Sequence, residues 1–364
     1  MPRISNRIII QAYQHSPFLP FLLRECRSLE SAKNELRWLR ERARLITTQM
    51  LLGGSGPGHY PTPVWRGLLR SMCLSRSRGM PLQYILGDQP FGDLDIKCTK
   101  GVLIPRHETE AITFRAAKLI LDMLMNSRVA INESTPLRVL DLCTGTGCIP
   151  LLLHALLSSH YPQLSIIGID ISAAAIRLAR ENTKRNVHLK TLSKRALTEV
   201  SFRRGNVLGS GHDDSIISGK AFPGFPVVTG DPGLRCDVLI SNPPYVSPKE
   251  YLDGTTSRSV RKFEPELALV PPDSALLSVA GDKTLRREDI FYHRIAALIP
   301  RLRVKLSVLE CGSHSQAVRV AALYKDVLHK TESDEYVVDI WSVTGHNSGP
   351  CAVTVYPISS NSRG

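Results

Sequence analysis

The chain has 364 residues, 43% hydrophobic and 22% charged, the composition of an ordinary globular protein long enough for two domains and a sizeable core. Its 46 Lys and Arg against 33 Asp and Glu leave a formal charge of +13, which fits an acidic or nucleic-acid-associated partner and a basic organellar protein equally well. No apolar stretch approaches the ~18–20 residues of a membrane span, so no membrane partner is expected. The eight cysteines form no C-x-x-C pair, which argues for reduced, mostly buried thiols and against disulfides or a metal.

Residues 1–28 carry Arg3, Arg7 and Arg24 with no acid before Glu25, mixed with Ile8-Ile9-Ile10 and Phe18-Leu19. This basic, acid-poor pattern reads as a mitochondrial targeting segment, which places the protein in the mitochondrial matrix; without it the chain would be cytoplasmic. Residues 29–80 read as a small helical domain. Leu36, Leu39, Ala43, Ile46 and Met50 fall at helical spacing, Trp65, Leu68, Leu69 and Met72 mark a second amphipathic helix, and Gly53 to Gly58 is a loop between them. The domain serves as a substrate clamp or as a solubilising extension. Residues 81–108 form a linker and hairpin, and 109–358 a second domain.

From Leu137 short apolar strands alternate with helices. Strands are predicted at Leu137–Asp141, Ser165–Asp170, near Val200, at Asp237–Ser241, at Leu306–Glu310 and as a closing pair near 336–343 and 352–356. Helices follow at Cys148–Leu157 and after Ser172, a natural N-cap. The pattern is α/β, a doubly wound parallel sheet, whose ligands sit at the carboxyl ends of its strands. Asp141 and Asn242 both lie at such ends.

The stretch Asp141-Leu142-Cys143-Thr144-Gly145-Thr146-Gly147 is a glycine-bearing turn into a helix, where the backbone can approach a ligand. Asp170 ends the next strand, where a carboxylate can accept both hydroxyls of a ribose. The loop lacks the G-x-G-x-x-G spacing of a dinucleotide site, and Asp141 would repel a pyrophosphate. That acid suits the cationic amino-acid end of S-adenosylmethionine instead. Cys143, Thr144, Gly145 and Gly147, then Ile171 beside Asp170, and Asn206 and Val207 after the next strand complete the expected donor site. For Asn206 a hydrogen bond to adenine and an ordinary turn asparagine are both open.

Asn242-Pro243-Pro244-Tyr245 matches a planar amino group as acceptor. The Asn242 side-chain carbonyl and the Pro243 backbone carbonyl can each accept one N–H, Pro244 keeps the loop rigid without adding a donor, and Tyr245 can stack on the flat group. Catalysis would be positioning and electrostatics, with no strong general base.

With these residues the chain resembles the HemK-type protein-glutamine N5-methyltransferases from roughly Ser31 to Tyr356. The resemblance rests on Pro81 to Gly87, Phe91-Gly92, Leu103-Ile104-Pro105-Arg106-His107-Glu108-Thr109-Glu110, the Asp141–Gly147 loop, Asn242–Tyr245, Arg261 to Pro265 and Leu309 to Gly312. It implies a seven-stranded class I methyltransferase, Rossmann-like, behind a helical substrate-binding domain. It further implies methyl transfer from S-adenosylmethionine to the Gly-Gly-Gln glutamine of a class I peptide-chain release factor, with Asn242 and Pro243 holding the amide and no stable nucleic-acid complex. The Asn-Pro-Pro-Tyr motif also occurs in nucleic-acid adenine or guanine amino-methyltransferases, which are the alternative; a ribosome-associated binding protein with a vestigial donor site is the non-enzymatic one.

His107 stands where many relatives have proline. Cys143 replaces the first loop glycine, so its position is expected to avoid positive φ. Residues 208–235 read as a flexible surface insertion. Arg106 and Glu110 are either a cleft pair that meets substrate or a buried pair holding the hairpin. Glu264 either orients the Asn-Pro-Pro-Tyr loop or is a surface strand acid, and Glu310 is expected to hydrogen-bond neighbouring loops.

Overall fold

A computed structural model describes residues 3–53, 64–126, 136–209, 235–274, 285–329, 336–343 and 349–357. The chain divides into two compact units, Met1–Asp88 with Ser257–Phe263, and Gln89–Thr256 with Glu264–Gly364.

The first unit is helical: α1 Asn6–His15, α2 Leu19–Cys26, α3 Leu29–Gly53, α4 Val64–Ser77 and α5 Leu82–Leu86. Ser5 caps α1 by accepting from the Ile8 amide. Ala12, Leu19, Leu22 and Leu23 close against Leu36, Leu39 and Ala43 of α3 and Leu69 and Met72 of α4. The unit therefore begins earlier than expected from the sequence, because the stretch assigned to targeting supplies two helices of its core. Leu36, Leu39 and Ala43 are buried as their spacing predicts, Ile46 is partly buried, and Met50 is exposed, so the apolar stripe ends a turn early. Within the core, Arg76 grips Glu35 bidentately at 2.8 and 2.9 Å and also donates to the Met80 carbonyl. The expected glycine-rich loop lies outside the described residues beyond Gly53. The short helix Arg258–Phe263 folds with this unit, where Ser259 donates to the Gly79 carbonyl at 2.6 Å.

The second unit opens with a hairpin, β1 Asp88–Phe91 and β2 Leu94–Lys97, and a helix, α6 His107–Asn126. Seven strands follow as one sheet: β3 Leu137–Leu142, β4 Leu164–Asp170, β5 Val200–Arg204, β6 Val238–Ser241, β7 Leu306–Cys311, β8 Tyr336–Ser342 and β9 Cys351–Pro357. Their order is β5-β4-β3-β6-β7-β9-β8, parallel from β5 to β7 and antiparallel on both sides of β9. Helices α7 Cys148–Leu157 and α8 Ala173–Leu189 connect β3 to β4 and β4 to β5. Every strand expected from the sequence is present, each within a few residues of its predicted ends.

Side chains alternate between the two faces of the sheet. Val139, Ile166, Phe202, Val238, Ile240 and Val308 pack with α6 and α7 on one face, whereas Leu140, Leu142, Ile167, Leu239 and Leu309 meet helices Ile290–Ala296 and His314–His329 on the other. Asp141 and Glu310 take the parity of the first face. The chain runs outward through β4 and β5, then returns to pair β6 with β3, so the strand order reverses between β3 and β6. This is the switch point at which the carboxyl ends of a doubly wound sheet leave a crevice. The hairpin is tied to α8 by side-chain amides: Asn186 accepts from the Asp95 amide at 2.9 Å, and Asn182 accepts from Lys97 at 2.8 Å while donating to the Thr146 carbonyl. Residues 210–234, the centre of the expected insertion, lie outside the described residues. No described helix is long and apolar enough to cross a membrane.

Candidate active site

A cavity of about 430 Å³ lies at the switch point. Its floor is the turn after β3. There the Thr144 amide donates to the Ile169 carbonyl and the Gly147 amide to the Thr144 carbonyl, each at 2.9 Å, which curls the turn under β4. Gly147 has φ +79°, and a Cβ there would stand 2.8 Å from the Phe202 ring and 2.9 Å from the Ala179 methyl. No other residue fits the space. Cys143 contradicts its expectation: it adopts φ +63°, the conformation a glycine would take, and lines the cavity. The tight turn imposes that dihedral on whichever residue stands there, at a modest strain for a residue with a Cβ.

Of the expected donor residues, Cys143, Thr144, Gly145, Asp170, Ile171, Asn206 and Val207 line the cavity. Asp170 accepts the Gly145 amide at 2.9 Å on Oδ2 and the Ser172 amide at 2.8 Å on Oδ1, leaving each oxygen one lone pair for a ligand. Burial pushes its carboxyl up, and the amides of Ser172, Gly145 and Ile171 oppose the shift. The Asn206 Oδ1 accepts the Leu208 amide at 3.0 Å, so the turn role holds, while the residue also faces the cavity.

Asp141 is fully buried beneath the loop and is not among the lining residues. Neither of its carboxylate oxygens has a hydrogen-bond partner. Burial, opposed by the nearby Thr144 hydroxyl and reinforced by repulsion from Asp170, pushes its carboxyl well above the usual range. An unmatched buried acid is costly to ionise, and a bound cation would remove that cost.

At the opposite wall are Asn242 and Pro244; Pro243 and Tyr245 are not lining residues. Asn242 Nδ2 donates to Thr109 Oγ1 at 3.1 Å, leaving the side-chain carbonyl as the free end of the amide. Tyr245, the residue expected to stack on the flat acceptor group, is packed against neighbours of its own. Its ring packs on Gly312, where a Cβ would come within 2.8 Å, and its hydroxyl donates toward Glu310 Oε1 at 3.5 Å. Gln316 holds the same loop by donating to the Tyr245 carbonyl and to Asp289. Burial pushes the Glu310 carboxyl up to about 7.

Arg106 lines the cavity, but its partner is Glu264 at 2.7 Å and not Glu110, which is not a lining residue. Glu264 also accepts the Ile104 amide at 3.1 Å and is buried, so it is neither a surface strand acid nor in a bond to the Asn-Pro-Pro-Tyr loop. It pins the Ile-Pro-Arg segment as a cavity wall. The sequence reading missed the apolar lining from Leu103, Pro265, Leu267, Ala268 and Phe291. It also missed the role of Thr109, although Thr109 stood inside the Ile-Pro-Arg block that carried the resemblance. All eight cysteines are free and six are buried, as expected. Among the described residues no cluster of His, Cys, Asp and Glu could hold a metal ion.

A sequence model for a methyltransferase domain matches residues 133–210. The chain is similar over its full length, at 31% identity and 91% of the relative, to the mitochondrial MRF1 N(5)-glutamine methyltransferase MTQ1 of Saccharomyces cerevisiae. A probable MRF1 mitochondrial N(5)-glutamine methyltransferase of Schizosaccharomyces pombe is also 31% identical, over 90% of each chain. The release factor glutamine methyltransferase of Pasteurella multocida is 32% identical over 58% of this chain and 60% of its own. Among solved structures, the N-terminal domain of human METTL16 in complex with SAH is a distant likeness, 14% identical with a TM-score of 0.45 over 77% of this chain and 82% of its own. The seven-stranded sheet, the crevice at its switch point and the full-length match agree: the chain belongs to the family of release factor N5-glutamine methyltransferases.

Proposed function

We propose that this protein transfers the methyl group of S-adenosylmethionine to the side-chain amide nitrogen of the Gly-Gly-Gln glutamine in a class I peptide-chain release factor, and does so in mitochondria. The observation that carries the reading is the Asn242 amide at the cavity wall, with its NH2 end taken by Thr109 and its carbonyl free. A glutamine amide offers two N–H donors, and the Asn242 and Pro243 carbonyls together accept both. The proline backbone offers no competing N–H.

The residues fit the donor. Asp141, buried with no partner, suits the donor's ammonium, and the remaining lone pairs of Asp170 suit ribose hydroxyls. Bound there, S-adenosylmethionine supplies an electrophilic methyl on a sulfonium. Methyl transfer from a sulfonium needs no Lewis acid, so no metal is assigned a role. An amide nitrogen is a weak nucleophile because its lone pair is delocalised. Carbonyls that hold its two protons favour pyramidalisation and aim the lone pair, and the extra proton leaves once the nitrogen is alkylated. Tyr245 supports this loop from beneath, on Gly312 and Glu310. Arg106 at the cavity wall and the helical unit are the proposed contacts for the protein substrate. The mitochondrial setting is supported by the two full-length relatives, both named as mitochondrial.

The test incubates the purified protein and S-adenosylmethionine with a mitochondrial class I release factor, with total RNA and DNA as parallel acceptors, and reads the products by mass spectrometry. One added methyl on the Gly-Gly-Gln glutamine is expected, and Asn242→Ala should lose at least about a hundredfold in turnover with donor binding kept. An unmodified factor beside methylated nucleic acid would move the acceptor to an adenine or guanine amino group.

A further inference from the structure

We propose that Gln316 is a positioning residue for methyl transfer, holding the Asn242-Pro243-Pro244-Tyr245 loop in the place from which its carbonyls meet the acceptor. The inference rests on the reading above, since it concerns the loop that receives the glutamine amide. Gln316 stands in the first turn of the helix His314–His329 and is buried. Its Nε2 donates to the Tyr245 carbonyl at 3.3 Å, the Glu288 carbonyl at 3.2 Å and Asp289 Oδ1 at 3.0 Å, while its Oε1 accepts the Gly312 amide at 2.9 Å.

The chemistry of these partners selects a carboxamide. The Gly312 N–H can only donate, whereas the two carbonyls and the Asp289 carboxylate accept. The amide therefore has a single orientation, and no other side chain of its length offers an acceptor and a donor at its tip. A glutamate there would set its carboxylate against Asp289 and two carbonyl oxygens. Asp289 is fixed in turn by Arg319, one turn along the same helix, which donates to Oδ2 at 2.7 Å and to Oδ1 at 3.1 Å.

Gln316 supplies a donor to a loop that is short of them. Pro243 and Pro244 have no N–H, so at these positions the backbone can be tied down only through its oxygens. The start of the loop is fixed by Ser241, whose hydroxyl donates to the Leu142 carbonyl at 2.8 Å, and by the bond from Asn242 to Thr109. Its end is fixed by Gln316 at the Tyr245 carbonyl, and Gly312, whose amide Gln316 accepts, leaves the space that the Tyr245 ring fills. The proline rings lock two of the torsions between these clamps, so a shift at the Tyr245 carbonyl passes to the Pro243 carbonyl instead of being absorbed. Gln316, Asp289 and Arg319 are not cavity-lining residues, so Gln316 acts on the reaction only through the loop.

The test uses the full-length protein and a recombinant class I release factor. It reads kcat and KM for the factor, and the affinity and stoichiometry of S-adenosylmethionine by calorimetry. Gln316→Glu is isosteric and loses the donor; Gln316→Met keeps the length without either polar atom. Each should lower kcat about tenfold or more at a temperature well below melting, with KM and donor affinity within about twofold and donor stoichiometry unchanged. On the residual turnover of Asn242→Ala the same substitutions should cost about threefold or less, because the two carbonyls hold one amide as a unit and half of it is already gone. A merely structural role would cost the same factor in both backgrounds. Wild-type kcat in a folded Gln316 variant, or an equal cost in both backgrounds, would overturn the positioning role and leave the reaction standing. A fully active Asn242→Ala would overturn the reaction reading itself. Should one Gln316 variant fail to fold, the other decides alone.

Discussion

The two units differ in how completely they match the acids they bury. In the helical unit Glu35 is matched by two nitrogens of the Arg76 guanidinium. In the α/β unit Glu264 is likewise matched by Arg106, but neither carboxylate oxygen of Asp141 has a hydrogen-bond partner, and Glu310 has only the Tyr245 hydroxyl, 3.5 Å from Oε1. A buried acid with a bidentate cation is a structural part whose cost is met inside the protein. A buried acid without one marks a place where the fold alone is incomplete, and Asp141 lies directly beneath the loop that lines the cavity. The surfaces differ as well. The helical unit carries 16 Lys and Arg against five acids, leaving the α/β unit 30 against 28, so nearly all the net charge belongs to the unit without the cavity. Charge in excess and exposed acts on partners at a distance, whereas charge buried and unpaired acts on one bound group.

The largest effect expected from this comparison is on the helical unit. Leu22→Ala removes a fully buried side chain from α2 and should destabilise that unit by about 2–4 kcal/mol, seen as an earlier denaturation transition. A variant as stable as the wild type would mean that α1 and α2 are not part of the core.

The next effect is a pH dependence in the α/β unit. The folded state holds the Glu310 carboxyl at about 7, above its ordinary 4.5, so this group's contribution to stability is full below about 4.5 and is lost as pH rises through 7. Glu310→Gln removes that loss. It should be more stable than the wild type by about 3 kcal/mol at pH 8 and show almost no gain at pH 4.5, as thermal melts at both values would reveal. A gain of equal size at both pH values would break the assignment.

The smallest effect concerns Cys143. Cys143→Gly relieves a side chain at φ +63° but adds freedom to the unfolded chain, so the net change should stay within about 1 kcal/mol. Donor affinity measured alongside separates the dihedral from the thiol: an affinity change with stability constant would assign the sulfur a part in binding.

Much of the fold was legible in the chain itself. The strands of a parallel sheet are buried on both faces and read as continuous apolar runs, which is why β3, β4, β6 and β7 were found close to their true ends. The carboxyl-end placement of Asp141, Asp170 and Asn242 followed from the same runs, because residues after a parallel strand always face one rim. The share of the N-terminal stretch in the core went unseen for a physical reason. A helix with arginines on one side and Leu, Ile and Phe on the other has the same composition whether it guides import or covers a core, and only the buried Ala12, Leu19, Leu22 and Leu23 reveal the second use.

What the sequence determined by itself was the list of chemical groups and the rim on which they stand, since both depend on local spacing. Tertiary structure alone decided their partners. Arg106 meets Glu264 across 158 residues, Asn242 meets Thr109 across 133, and Tyr245 meets Glu310 across 65. Such pairings depend on strand order and on the direction in which the chain returns at the switch point, and no local periodicity encodes either. The same holds for Cys143, where the turn closed by neighbouring strands imposes a left-handed dihedral that the residue's own preference would refuse.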